Sequence, residues 1–195
     1  MAQSTQRAEG TSSDPMVVLE SQIRARFGDI VYTQKTHEKC ADILLSRLHK
    51  LQMWKFVLSA LTTGSLVGAI FANQVRWGTI VAGFASLALF VISNILKEEQ
   101  LGEDASRHRA TARMLWSVRE SYLSLITDLY IGSVSRDDVQ SKRDGLQEET
   151  GRIYSDALST FAQGYEAARV ALNVKGERSL SDDEINAFLP IPLQR

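Results

Sequence analysis

Between Lys55 and Lys97 the chain carries one charged residue, Arg76. That residue divides two uncharged runs, Phe56–Val75 and Trp77–Leu96, each of twenty residues. A helix of that length rises about 30 Å at 1.5 Å per residue, the thickness of a hydrocarbon core. A core helix of a soluble protein rarely goes five turns without a charged face. Trp54 and Trp77 stand at run ends, where an interfacial indole sits. The pattern predicts transmembrane helices at about 56–75 and 77–96, ahead of a soluble apolar hairpin or one lying in the interface.

The two runs differ in strength. The first includes the strongly apolar Phe56, Val57, Leu58, Leu61, Leu66, Val67, Ile70 and Phe71. At about −0.3 to −0.6 kcal/mol each they contribute about −2 to −5 kcal/mol before Ser, Thr and Gly subtract. That is marginal alone. The second, with "LALFVISNIL", inserts more readily, and a hairpin entering as a unit helps the first. Arg47, Lys50 and Lys55 precede the hairpin, and Lys97, Arg107, Arg109 and Arg113 follow it. The positive-inside rule therefore puts both termini in the cytoplasm and Arg76 outside. Trp54, Lys55, Arg76, Trp77 and Lys97 are the expected interfacial anchors, with membrane lipid as their partner.

At 195 residues the chain suffices for one domain with a real core. A net charge of −1 and a pI near 6.3 give no bulk signal for nucleic-acid binding. The single cysteine, Cys40, excludes an internal disulfide. The mean hydropathy of −0.12 looks soluble only because it averages apolar runs with polar flanks. Residues 1–15 have no apolar stretch; they read as a disordered tail, not a signal peptide.

Small residues recur every fourth position in the first run: Ala60, Gly64, Gly68 and Ala72. They fall near one face and permit close helix approach, either inside one hairpin or between protomers of a homo-oligomer. Ala82, Gly83, Ser86 and Ser93 form a looser small face on the second run. Ser59, Thr62, Thr63, Ser86, Ser93 and Asn94 are polar and uncharged, suited to lining a pore or to bonding back onto the helix. Neither run offers a charged selectivity ring or a proton relay.

Outside the runs the class is all-α. Apolar or small residues return at Phe27, Ile30, Ala41, Leu44, Leu48 and Leu51, with Gln34 and His37 inside the stripe. Ala105, Ala112, Leu115, Tyr122, Ile126 and Leu129 repeat the spacing, broken by His108 and Arg119. The reading is one long helix over about Met16–Ala72 and a second over about Gly78–Tyr130. If they run antiparallel from a turn at 73–78, Leu44 faces the His108 region, His37 faces Leu115 and Ile30 faces Tyr122. Gly132 ends the second helix, and Ser135 with Asp138 caps a third over about 136–150. A fourth over about Tyr154–Val174 presents Ala157, Leu158, Phe161, Tyr165, Ala168 and Leu172. A capping box at Ser181–Glu184 begins a short helix to Phe188, stopped by Pro190 and Pro192. Residues 176–195 are otherwise a tail.

Catalytic chemistry is hard to place on this chain. His37 and Cys40 have helical spacing for two metal ligands, but Asp42 and His108 do not complete a set by position. No phosphate loop or nucleophile elbow is present. No metal, cofactor, nucleic-acid partner or enzyme activity is expected. Arg107, Arg109 and Arg113 suit anchoring to anionic lipid, or a negatively charged ligand.

The segments "YTQKTHEKCADILLSRL", "RESYLSLITDLYIG", "KRDGLQEETGRIY" and "FAQGYEAA" together resemble the SLATT family, bacterial two-transmembrane effector domains, over about residues 17–175. The resemblance implies a membrane effector of a bacterial anti-phage or conflict system. Such an effector oligomerises and permeabilises the inner membrane on activation. The alternative is a membrane-anchored helical adaptor that tethers a partner. The family brings no catalytic residues to carry over. No sensor domain is expected in the chain. The trigger is then a separate sensor protein, a nucleotide second messenger or another diffusible ligand, or the cytoplasmic helices themselves.

Overall fold

Pro15 opens the first helix, where its missing N–H leaves no bond unmade. From there a computed structural model describes residues 15–71, 75–98, 100–174 and 176. Every regular element among them is helical: α1 (Pro15–Phe71), α2 (Val75–Glu98), α3 (Leu101–Ile131), α4 (Arg136–Asp156) and α5 (Ala162–Asn173). The chain divides into two compact units, Met1–Val31 with Met114–Asp156, and Tyr32–Arg113 with Ala157–Arg195.

The first unit is held by apolar side chains at three- and four-residue spacing. Leu19, Ile23 and Ile30 of α1 close on Leu115, Val118, Tyr122 and Leu125 of α3, and on Val139 and Ile153 of α4. Met16, Phe27, Ile126, Leu129 and Leu146 pack around them. Each helix thus presents one apolar stripe and keeps its charges outside. The first sequence stripe held Ile30 and the second Leu115 and Tyr122, and Ile30 and Tyr122 do share this core.

Two turns around α4 follow the expected chemistry. Gly132 takes a φ of 72°, the Ser133 N–H donates to Asp128 O at 3.2 Å, and the Gly132 N–H donates to Leu129 O at 3.1 Å. This left-handed closure of α3 suits glycine. The Asp138 N–H then donates to Ser135 Oγ at 3.3 Å, and that hydroxyl donates to Asp138 Oδ2 at 2.6 Å.

The second unit packs small and polar residues. Thr36, His37, Cys40 and Ala41 of α1 are buried with Leu101, Ala105, His108, Thr111 and Ala112 of α3, and with Ala168, Ala171 and Leu172 of α5. Gly164 of α5 lies so close to α1 that a Cβ there would fall onto Cys40 Sγ. Here glycine is needed for room rather than for conformation.

Three helix boundaries differ from the sequence reading. The single helix expected over 78–130 is two, because Gln100 is not helical and its carbonyl accepts the Asp104 N–H at 2.9 Å. Restarting there puts Glu103 and Asp104 in the first turn of α3, where the helix dipole favours acids, and buries Leu101. The third helix continues past 150 to Asp156, since buried Ile153 draws its last turn into the core. The fourth therefore starts at Ala162 instead of Tyr154. Ala157, Leu158 and Phe161 belong to the connection, with Phe161 as the extended N-cap. The tail up to Asp14, Ala72, the turn at 73–74, and the capping box and short helix at 181–188 lie outside the described residues.

Candidate functional site

The second run forms most of α2, and its packing is inverted relative to a soluble helix. Ala82 and Ala85 are buried, whereas Phe84 is 72% exposed and Phe90 66% exposed. Trp77, Ile80, Val81, Leu87 and Val91 are exposed as well. On α1, Met53, Trp54, Phe56, Val57, Leu61, Leu66 and Val67 are likewise open. So large a continuous apolar surface is untenable in water but ordinary against lipid tails. Among the described residues one helical segment, within α2, is long and apolar enough to cross a membrane. The C-terminal end of the first run, from residue 69, lies outside the described side chains.

The anchors expected at the ends of this surface, Trp54, Lys55, Arg76, Trp77 and Lys97, are all exposed. A cavity of about 560 Å³ opens beside Lys55, Phe56, Ser59 and Leu96. Arg109 turns to Asp42 at 3.5 Å, an exposed pair of little energetic weight.

The small residues of the two runs behave differently. Ala60, Gly64 and Gly68 are exposed, and a Cβ on either glycine would meet nothing within 4 Å. The same holds for Gly83. On α2 it is Ala82 and Ala85, not Gly83 and Ser86, that are buried. Among the polar residues, Thr62 donates to Leu58 O at 2.8 Å and Thr63 to Ser59 O at 3.1 Å. Ser65 does the same to Leu61 O at 2.6 Å. These hydroxyls are satisfied on their own helix. Ser59, Ser86 and Asn94 are exposed and Ser93 is half-buried.

A polar centre lies in the core of the second unit. His37 and His108 are 2% and 3% exposed, and their Nδ1 atoms are 2.8 Å apart. The edge of Phe161 meets His108 at a centroid distance of 6.3 Å. Burial, followed by the neighbouring His108, lowers the His37 pKa to about 4. Burial lowers that of His108 too, with Asp104 opposing and Arg107 assisting. Both rings are neutral at pH 7, and one Nδ1 donates while the other accepts. Cys40 is enclosed beside them, and burial pushes its thiol up while a bond with the Phe161 backbone pulls it down.

The sequence had put His37 opposite Leu115. The ring reaches His108 instead, because side chains of packed helices interlock obliquely rather than rung by rung. Asp42 with Arg109, and Leu48 beside Gly102, keep close to the expected antiparallel register. The histidine pair was legible only as two polar breaks, one in each apolar stripe. Among the described residues no group of three or more His, Cys, Asp or Glu is placed to hold a metal.

No match was found among curated proteins or among solved structures. The family described as "SMODS and SLOG-associating 2TM effector domain family 4" matches residues 19–184, which takes in all five helices except the first turn of α1. Its two-transmembrane effector description agrees with an all-helical chain whose large apolar side chains face outward, and the chain belongs to this SLATT family.

Proposed function

We propose that the chain is an effector of a bacterial anti-phage or conflict system that assembles in the inner membrane and permeabilises it on activation. In this reading the first run and α2 cross the bilayer as a hairpin. Arg76 lies outside and both termini are cytoplasmic. Copies associate through the face carrying Ala60, Gly64 and Gly68. The observation that carries it is a contrast on the two runs: large apolar residues face outward while, among the described residues, nothing lies against Gly64 or Gly68. A lipid-exposed helix has little use for a bare glycine face except close contact with another helix. Signalling reaches the hairpin from a separate sensor protein or a nucleotide second messenger.

Inducible expression in bacteria with a membrane-potential dye tests the proposal. Depolarisation that accompanies growth arrest supports it, and arrest with potential intact sinks the permeabilising step.

One observation favours a second reading, a membrane-anchored adaptor. Thr62, Thr63 and Ser65 are turned back onto their own helix instead of toward a lumen. An adaptor needs the hairpin only as a tether. Replacing both runs by an unrelated apolar hairpin separates the two, since an adaptor keeps its activity and a pore loses it.

A further inference from the structure

The first unit contains a feature that membrane insertion does not use. Tyr122 of α3 is among the largest fully buried side chains, at 1% exposure. Its hydroxyl makes no hydrogen bond among the described residues. A buried phenol without a partner is costly, and folded proteins almost always supply one. Tyr122 also lines a cavity of about 260 Å³ together with Arg26, Asp29, Thr150, Gly151 and Tyr154. We propose that this cavity is a binding site for a compact oxyacid, a phosphate monoester or carboxylate with a short apolar body, which takes the Tyr122 hydroxyl as a donor.

The charges around the phenol set the ligand's sign. The guanidinium groups of Arg26 and Arg143 both act on it. Arg143 is engaged, with Asp144 at 2.6 Å and Gln22 at 2.9 Å. Arg26 reaches only Asp29, at 3.3 Å and with both side chains more than half exposed, so most of its five donors remain. Asp29 is the one acid on the wall, and its pairing with Arg26 leaves the wall without net negative charge to repel an anion. Ile30 and the Tyr154 ring supply an apolar side for the ligand body. The volume sets its size: ordinary small-molecule sites run about 300–1,000 Å³, so this one takes a compact acid and not a dinucleotide.

Gly151 gives the test a clean variant. Gly151 lines the cavity and a Cβ there meets nothing within 4 Å, so a substitution starts in open space at the cavity wall. The experiment uses the full chain in phospholipid-free detergent, with phenyl phosphate as the probe, phenol as the uncharged control, and thermal unfolding as the readout. Phenyl phosphate is expected to raise the unfolding temperature in a saturable way at millimolar concentrations, and phenol is not. Tyr122→Phe and Arg26→Gln should each weaken the apparent affinity at least tenfold, and Gly151→Leu should abolish the shift.

A short-chain phosphatidic acid should not compete. Competition by it would make the occupant a lipid headgroup and overturn the assignment to a compact free acid. Equal shifts in wild type and all three variants would mean a non-specific ion effect and overturn the proposal. So would no shift with phenyl phosphate or inorganic phosphate up to about 10 mM, the top of the range in which binding is expected. A Tyr122→Phe protein that gains stability while the wild type binds neither probe would show a cavity holding only water, with the same consequence. None of these readouts depends on membrane permeabilisation, so either reading can fail alone.

Discussion

The Nδ1 atoms of His37 and His108 stand 2.8 Å apart in the core of the second unit, so the pair is stable only while at least one ring gives up its proton. With the folded His37 pKa lowered to about 4 from 6.5, the unfolded chain binds the extra proton first. The neutral ring's contribution to stability is then complete above pH 6.5 and is lost as pH falls toward 4, flattening below that. The full window is worth on the order of 3 kcal/mol from His37, with His108 adding in the same direction. Chemical denaturation in detergent at several pH values checks this. His37→Gln should flatten the dependence, and an unchanged slope in that variant would place the titration elsewhere.

Gly164 and Gly151 make opposite predictions. Gly164→Ala sets a Cβ onto Cys40 Sγ, against backbone atoms of α1 only 3.4 and 3.5 Å away, and should cost about 1–3 kcal/mol. Gly151→Ala enters open space inside α4 and should gain about 0.5–1 kcal/mol from helix propensity. Adding Cys40→Ala to Gly164→Ala should recover part of the loss. Unfolding midpoints of the four proteins decide, and a neutral Gly164→Ala would disprove the close approach of α5 to α1.

Phe84 reports what surrounds α2. Phe84→Asp exchanges a lipid-facing ring for a charge and should cost insertion about 3 kcal/mol. Alkaline extraction of membranes is expected to release much more of this variant than of wild type. Retention at the wild-type level would mean that this face does not meet hydrocarbon.

Gly64→Leu and Gly68→Leu separate folding from assembly. Among the described residues nothing lies within 4 Å of the added Cβ, so the monomer should keep its helicity and unfolding midpoint. Chemical crosslinking in membranes should lose its oligomer bands together with activity. Undiminished crosslinking would move the subunit contact off this face.

Segment composition and spacing carried much of the architecture without any tertiary information. The uncharged stretches on either side of Arg76 pointed to a membrane because a water-soluble core rarely hides five charge-free turns. The two stripes, one holding Ile30 and the other Leu115 and Tyr122, marked helical packing because only an α-helix returns residues to one face every three to four positions. Gly132 and the Ser135–Asp138 cap were readable because turn and cap chemistry is local. The break at Gln100 was not, since it depends on Leu101 being drawn into a core built by distant residues. Ile153 extended α4 for the same reason. The meeting of His37 with His108, Gly164 seated on Cys40, and Tyr122 buried at the wall of its cavity were decided only by folding. Each is a property of two or three helices in contact, and a polar residue inside an apolar stripe does not disclose, in sequence, which distant side chain will satisfy it or leave it waiting.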